Sequence, residues 1–119
     1  MDSFIDLKAW QLGMQLMTEV HELMEQFPRS EQRALTKQLR SCTRSIMANI
    51  AEGFGRFTFP DKANKYTIAR GECNETTAHL YVAVVLQFVT PERAQRAIQL
   101  SNEVARILSG LIRACRNRS

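Results

Sequence analysis

Apolar residues in this chain return at spacings of three and four in four successive stretches, with little to interrupt them. That rhythm keeps side chains on one face of an α-helix, whereas a strand would need alternation at every second residue. The breaks fall at Pro28, around residues 57–60, and at Thr90-Pro91. With 5 Gly and 3 Pro in 119 residues, a loop-rich or all-β chain is disfavoured and long helices are expected.

Helix one is predicted from Asp6, read as its N-cap, to Phe27, where Pro28 stops it. Leu7, Trp10, Met14, Met17, His21 and Met24 form its expected seam. Leu12, Leu16, Val20, Leu23 and Phe27 widen that seam into a flank broader than one neighbour covers, while Glu19, Glu22 and Glu25 lie on the other side. Ser30 is placed to cap helix two, with Glu31 in its first turn and Leu35, Leu39, Cys42, Ile46, Asn49 and Gly53 as its seam. Helix three is expected from near Pro60, preceded by Thr58 or Phe59, to about Val89; the apolar run 80–86 also fits a buried strand. Thr90-Pro91-Glu92 reads as cap, first-turn proline and first-turn acid of helix four. Its seam is Ala94, Ala97, Ser101, Val104, Leu108, Leu111 and Cys115, and the tail 116–119 is expected to fray. Four long helices joined by short connections predict an all-α, up-and-down antiparallel four-helix bundle forming one domain over residues 1–119.

Charge is unevenly placed along the chain. The net charge of +4 divides into −4 over residues 1–28, +4 over 29–57, zero over 58–90 and +4 over 91–119. One acidic and one basic surface are therefore expected. Cys42, Cys73 and Cys115 stand far apart with no CxxC pair, which reads as buried thiols in a reducing, cytoplasmic setting. No basic leader opens the sequence, and no apolar run approaches the roughly 20 residues of a membrane span.

The most distinctive stretch runs from Ser45 to Arg56. There Ile46, Ile50 and Gly53 share a side, Asn49 and Glu52 lie one turn apart, and Gly53 and Gly55 punctuate the helix. It reads as a buried helix end whose backbone passes close to another element. The opening Phe4-x-x-Leu7-x-x-Trp10-Gln11 is followed by Phe27-Pro28, Leu35-Thr36-x-Gln38-Leu39-Arg40 and Ser45-Ile46. With Asn49-Ile50-Ala51-Glu52-Gly53-Phe54-Gly55-Arg56 and Ala69-Arg70-Gly71-Glu72-x-x-Glu75, this series resembles the four-helix-bundle family named for the protein encoded in 23S rRNA intervening sequences. The resemblance implies a ring-like homopentamer. It also implies kinship with the accessory variability determinant of diversity-generating retroelements, a basic bundle that binds nucleic acid and a reverse transcriptase. Met47 stands where that family usually has Pro, Arg44 where it has a small apolar residue, and Asn74, Thr76 and Thr77 interrupt its Leu-rich third helix.

Asn49, Glu52 and Glu75 are expected to form one buried polar cluster between helices two and three, since buried acids need partners. A di-metal reading of Glu52, Glu72 and Glu75 lacks the Glu-x-x-His pair such bundle centres use, because Glu75 and His79 are four apart. Neither a metal nor another cofactor is therefore expected. No Gly-x-Ser-x-Gly, no Cys beside a His and no Gly-rich phosphate loop appears, so no catalytic residue is assigned and an enzyme is not expected. His21, on the seam, reads as a satisfied core histidine.

Two sets of cations carry the functional signal: Arg33, Lys37, Arg40 and Arg44 on helix two, and Arg93, Arg96, Arg106 and Arg113 on helix four. A row of unshielded like charges fits a phosphate backbone, so the leading expectation is a non-enzymatic, oligomeric bundle that binds RNA or DNA as a ribonucleoprotein accessory. The competing expectation is a protein-interaction scaffold whose basic rows meet a neighbouring subunit or a partner protein such as a reverse transcriptase.

Overall fold

The computed structural model describes residues 2–29 and 33–118. A 3₁₀ turn, Phe4–Asp6, leads into α1 (Lys8–Met24), followed by α2 (Arg33–Gly55), α3 (Phe59–Val85) and α4 (Pro91–Arg118). The predicted Ser30 cap and first-turn Glu31 lie outside the described residues, as does the side chain of Arg33. Each helix packs on its two neighbours around the ring α1–α2–α3–α4, and the diagonal pairs stay apart, which gives an up-and-down four-helix bundle. Its long dimension of 48 Å against 21 and 20 Å reflects helices lying side by side along one axis.

The core is a column of aliphatic side chains, including Leu16, Val20 and Leu23 from α1, Leu39, Ile46 and Ile50 from α2, Leu80 from α3, and Val104, Leu108 and Ile112 from α4. On α1 only part of the predicted seam turns inward: Leu7 and Met24 are buried as spaced, but the seam residues between them are not. Ala9, Gly13, Leu16, Val20 and Leu23 point inward, whereas Trp10, Met17 and His21 are half-buried and Met14 is exposed. Small Ala9 and Gly13 decide it, because they let α2 come close enough for Met47 to lie against Gly13. Leu16 and Leu23 are thus fully buried within one chain, and the flank expected to need outside cover is already filled. Trp10 is held instead by Phe4, edge to face at a centroid distance of 4.6 Å.

Helix ends explain the other departures. Asp6 lies in the 3₁₀ turn, and Leu7 occupies the N-cap of α1 without a side-chain cap bond; α1 itself stops at Met24, short of Phe27. Thr58 caps α3 by accepting from the Asp61 N–H at 3.2 Å, and Thr90 accepts from Arg93 N–H at 3.1 Å. The run 80–85 is helical, and α3 ends at Val85 instead of Val89 because Gln87 turns left-handed with φ 62°. Phe88 N–H then donates to Ala83 O and Gln87 N–H to Val84 O, the bond pair of a Schellman motif. The turn seats Phe88 against Phe27, 5.6 Å between centroids. The tail expected to fray continues as helix to Arg118, whose guanidinium lies 5.6 Å over the Phe59 ring.

Gly53 marks a close approach of α2 and α3. A Cβ there would lie 2.6 Å from Cε1 of Tyr66, whose ring is itself buried. No glycine has a positive φ, so Gly53 serves proximity, not a left-handed cap. Lys62 of α3 does the capping, with Nζ donating to Phe54 O at 2.6 Å and to Gly53 O at 3.4 Å. It satisfies carbonyls that the end of α2 leaves open.

Small polar groups run through the middle of the bundle. Thr76 Oγ1 donates to Cys42 Sγ at 3.0 Å, Ser101 Oγ donates to Cys73 O at 2.8 Å, and Thr77 Oγ1 donates to Ser101 Oγ at 2.9 Å. All three cysteines are free and buried. Burial, with help from Cys42 and Glu72 nearby, pushes the Cys73 thiol up to about 12, and burial also raises Cys42. These thiols are core fillers, not nucleophiles.

Substitution at the two buried glycines should give opposite results in urea unfolding. Gly53→Ala drives a methyl into a rigid ring and should cost about 1–3 kcal/mol. Gly13→Ala meets only the mobile end of Met47, so the helix propensity gain of up to about 1 kcal/mol should leave it near neutral. Equal losses would show that the Tyr66 contact is not limiting. Gln87→Gly should raise the unfolding free energy by about 1 kcal/mol by removing left-handed strain; no gain would mean that Gln87 is unstrained.

Candidate nucleic-acid interface

The α2 row survives as a surface. Lys37, Arg40 and Arg44 are exposed on one side of α2, and none has an ion pair among the described residues. Helix geometry accounts for this. Spacings of four, three and four keep the row nearly parallel to the axis, well around from the buried Leu39–Ile46–Ile50 side.

The α4 residues do not form one row. Arg93 Nη1 donates to Glu19 Oε2 at 2.6 Å, and Arg96 Nη2 donates to Gln15 Oε1 at 3.3 Å, so both turn toward α1. Arg106 and Arg113 are exposed and unpaired among the described residues. Twenty residues separate Arg93 from Arg113. At 3.6 residues per turn, that separation sets them about 160° apart around the helix. Arg93 is thus a tie between α1 and α4, and it engages the acidic face that the sequence pattern leaves open.

The expected Asn49–Glu52–Glu75 cluster is not present. Asn49 Nδ2 donates to Ser45 O at 2.9 Å and to Ser45 Oγ at 3.1 Å, within its own helix. Glu75 is exposed. Glu52 is also exposed and lies 3.1 Å from Lys65 Nζ and 3.4 Å from Arg56 Nη2. Hydrogen bonds from Lys65 and then Arg56 hold its carboxyl below the usual range. The helical spacing holds, but both acids are exposed, and Glu52 sits at the surface between α2 and α3. There Glu52 links the helices across the surface instead of within the core. Among the described residues, no group of three or more His, Cys, Asp or Glu is arranged to hold a metal ion.

His21 is half-buried, with Nδ1 2.9 Å from Met17 O. It lines a cavity at the α1–α2 corner together with Arg29, Thr36 and Arg40, a grouping that sequence spacing alone does not bring together. Sequence spacing likewise does not single out Lys62 and Lys65. Both face α2 across the helix junction and serve the fold. Among the described residues, no helix is long and apolar enough to cross a membrane.

The comparisons agree with this architecture. The model of the 23S rRNA-intervening sequence protein family matches residues 5–110, extending the likeness well into α4. A crystal structure of a protein of unknown function from the S23 ribosomal protein family, from Bacteroides thetaiotaomicron VPI-5482, is similar with a TM-score of 0.79 and 25% identity. That similarity covers 87% of this chain and 97% of the other. No curated protein matches the sequence. The family match over nearly the whole bundle settles the kinship: the chain belongs to the 23S rRNA-intervening sequence protein family.

Proposed function

We propose that this protein is a non-enzymatic, cytoplasmic nucleic-acid-binding bundle that uses the exposed α2 row to hold a phosphate backbone in a ribonucleoprotein. The observation that carries this reading is the contrast between cations. Arg93, Lys65 and Arg56 form ion pairs with acids of their own chain, whereas Lys37, Arg40 and Arg44 form none among the described residues. Like charges at helical spacing repel, and a polyanion relieves that repulsion while releasing counterions. Arg106 and Arg113 add a second exposed basic area. Buried free thiols fit a reducing compartment, and the rRNA in the family's name is consistent with an RNA ligand. No aromatic platform lies in the row, so binding should depend little on base sequence.

A second reading, assembly through protein contacts, is favoured by a separate observation. Tyr81, Val82, Val85 and Leu86 at the end of α3 are exposed by 44–78%, a concentration of apolar surface that isolated chains rarely leave bare. We take it as the face through which copies associate, in the ring of five implied by the family resemblance. The basic row fits a subunit contact less well, because Glu19 of the acidic face is already paired with Arg93.

Reversing Arg40 and Arg44 to Glu should weaken binding to unrelated oligonucleotides by similar factors. It should also lower the salt slope of log K by about 0.7 per lost contact on single strands, or about 0.9 on duplex. Thermal stability should hold, since both side chains are exposed. Unchanged binding with an unchanged slope would remove α2 from the interface, and dissociation into monomers would favour the subunit-contact role. For assembly, light scattering at micromolar concentration should report a mass several times 13.6 kDa, falling to the monomer in a Tyr81→Lys, Val85→Lys double variant. A monomeric parent protein would contradict this reading.

A further inference from the structure

At the corner where α1 gives way to α2, a half-open cavity of about 440 Å³ is lined by His21, Glu25, Phe27, Arg29, Thr36 and Arg40. The guanidiniums of Arg29 and Arg40 have no hydrogen bond or ion pair among the described residues. Glu25 is also unpaired, and its carboxylate opposes one of the two guanidinium charges. Two guanidiniums against one carboxylate leave one positive charge in excess. Thr36 is only 9% exposed, yet its hydroxyl has no hydrogen-bond partner among the described residues. Buried hydroxyls ordinarily have one. Helical threonine has two accessible χ1 positions, so a single rotamer step can present this oxygen to the cavity. His21 uses Nδ1 on Met17 O, which leaves Nε2 as the ring nitrogen available to a ligand.

We propose that this cavity is a seat for a phosphate monoester. Two guanidiniums and a hydroxyl are donors that a terminal phosphate, with its three free oxygens, takes up and that an internal phosphodiester fills less completely; a monoester's own O–H, which a diester lacks, can in turn donate to His21 Nε2. The volume lies in the range of small-molecule sites and exceeds what phosphate alone needs, so the attached nucleotide also has room beside Met24 and Phe27. Arg40 belongs both to the cavity and to the α2 row. A strand lying on the row would thus deliver its end to the seat. That source rests on the nucleic-acid reading of α2, whereas a free mononucleotide would not.

The test uses one single-stranded oligonucleotide bearing a phosphate at the 5′ end, the 3′ end or neither, with binding followed by fluorescence anisotropy. One phosphorylated form should bind about tenfold tighter than the unphosphorylated one, the scale of one charge-assisted bond. Arg29→Ala and the near-isosteric Thr36→Val should each remove that preference, while Arg44→Glu should weaken all three forms alike. In a second arm, inorganic phosphate and AMP are titrated while the His21 ring and Thr36 amide resonances are followed by NMR. Saturable shifts that Arg29→Ala abolishes would support the seat, with a free monoester as its ligand if the three oligonucleotides bind equally. Equal oligonucleotide affinities with no such shifts would overturn the seat and leave the α2 row standing. Failure of every oligonucleotide to bind would overturn the row, with the titrations alone then deciding the seat.

Discussion

The contact between Gly53 and the Tyr66 ring sets the geometry on which the rest depends. A hydrogen in place of a methyl lets α2 and α3 close to a separation that no other residue would permit. Lys62 can then reach back to the Gly53 and Phe54 carbonyls, and Lys65 can reach Glu52. With that hairpin fixed, the Leu39–Ile50 side of α2 faces inward and its basic row faces out. The row is thus exposed as a consequence of packing, because turning it inward would bring Leu39, Ile46 and Ile50 into water.

The same packing sorts the charges. Acids near helix junctions meet cations from the adjoining helix, as Glu19 meets Arg93 and Glu52 meets Lys65. These are partly exposed pairs and add little stability individually. Their larger effect is on the remaining field, since they neutralise the cations nearest the α1–α4 and α2–α3 seams. The cations without an acid include those on the outer side of α2 and the distal half of α4, with the α1–α2 cavity at one end of the α2 row. A surface of that kind attracts polyanions at long range and holds them with little regard to sequence.

Much of the fold was legible because helix periodicity and cap chemistry are local. Thr58 and Thr90 cap where their positions before Pro60 and Pro91 say they should, and the α2 seam is buried almost as spaced. Where two apolar rows shared one helix, the pattern could not say which faced inward. On α1 the answer came from the smallness of Ala9 and Gly13, not from the size of Met14 or Trp10. The end of α3 was hidden because Gln87, and not a glycine, takes the left-handed turn. At the site, the single-helix row of α2 was readable, but interhelical relations were not. Arg93 and Arg96 are claimed by α1, and Glu52 and Glu75 fall outside the buried faces of α2 and α3. The corner cavity joins residues from either side of a chain reversal, which no spacing rule brings together.

The most direct measurement of the central claim is the salt dependence of binding by the unaltered protein to two unrelated single-stranded sequences. If the three described cations of the α2 row each release a counterion, log K should fall linearly with log salt at a slope of about −2 per subunit, equal for both sequences. A slope near zero, or slopes that differ with base sequence, would contradict an interface built from backbone contacts on that row.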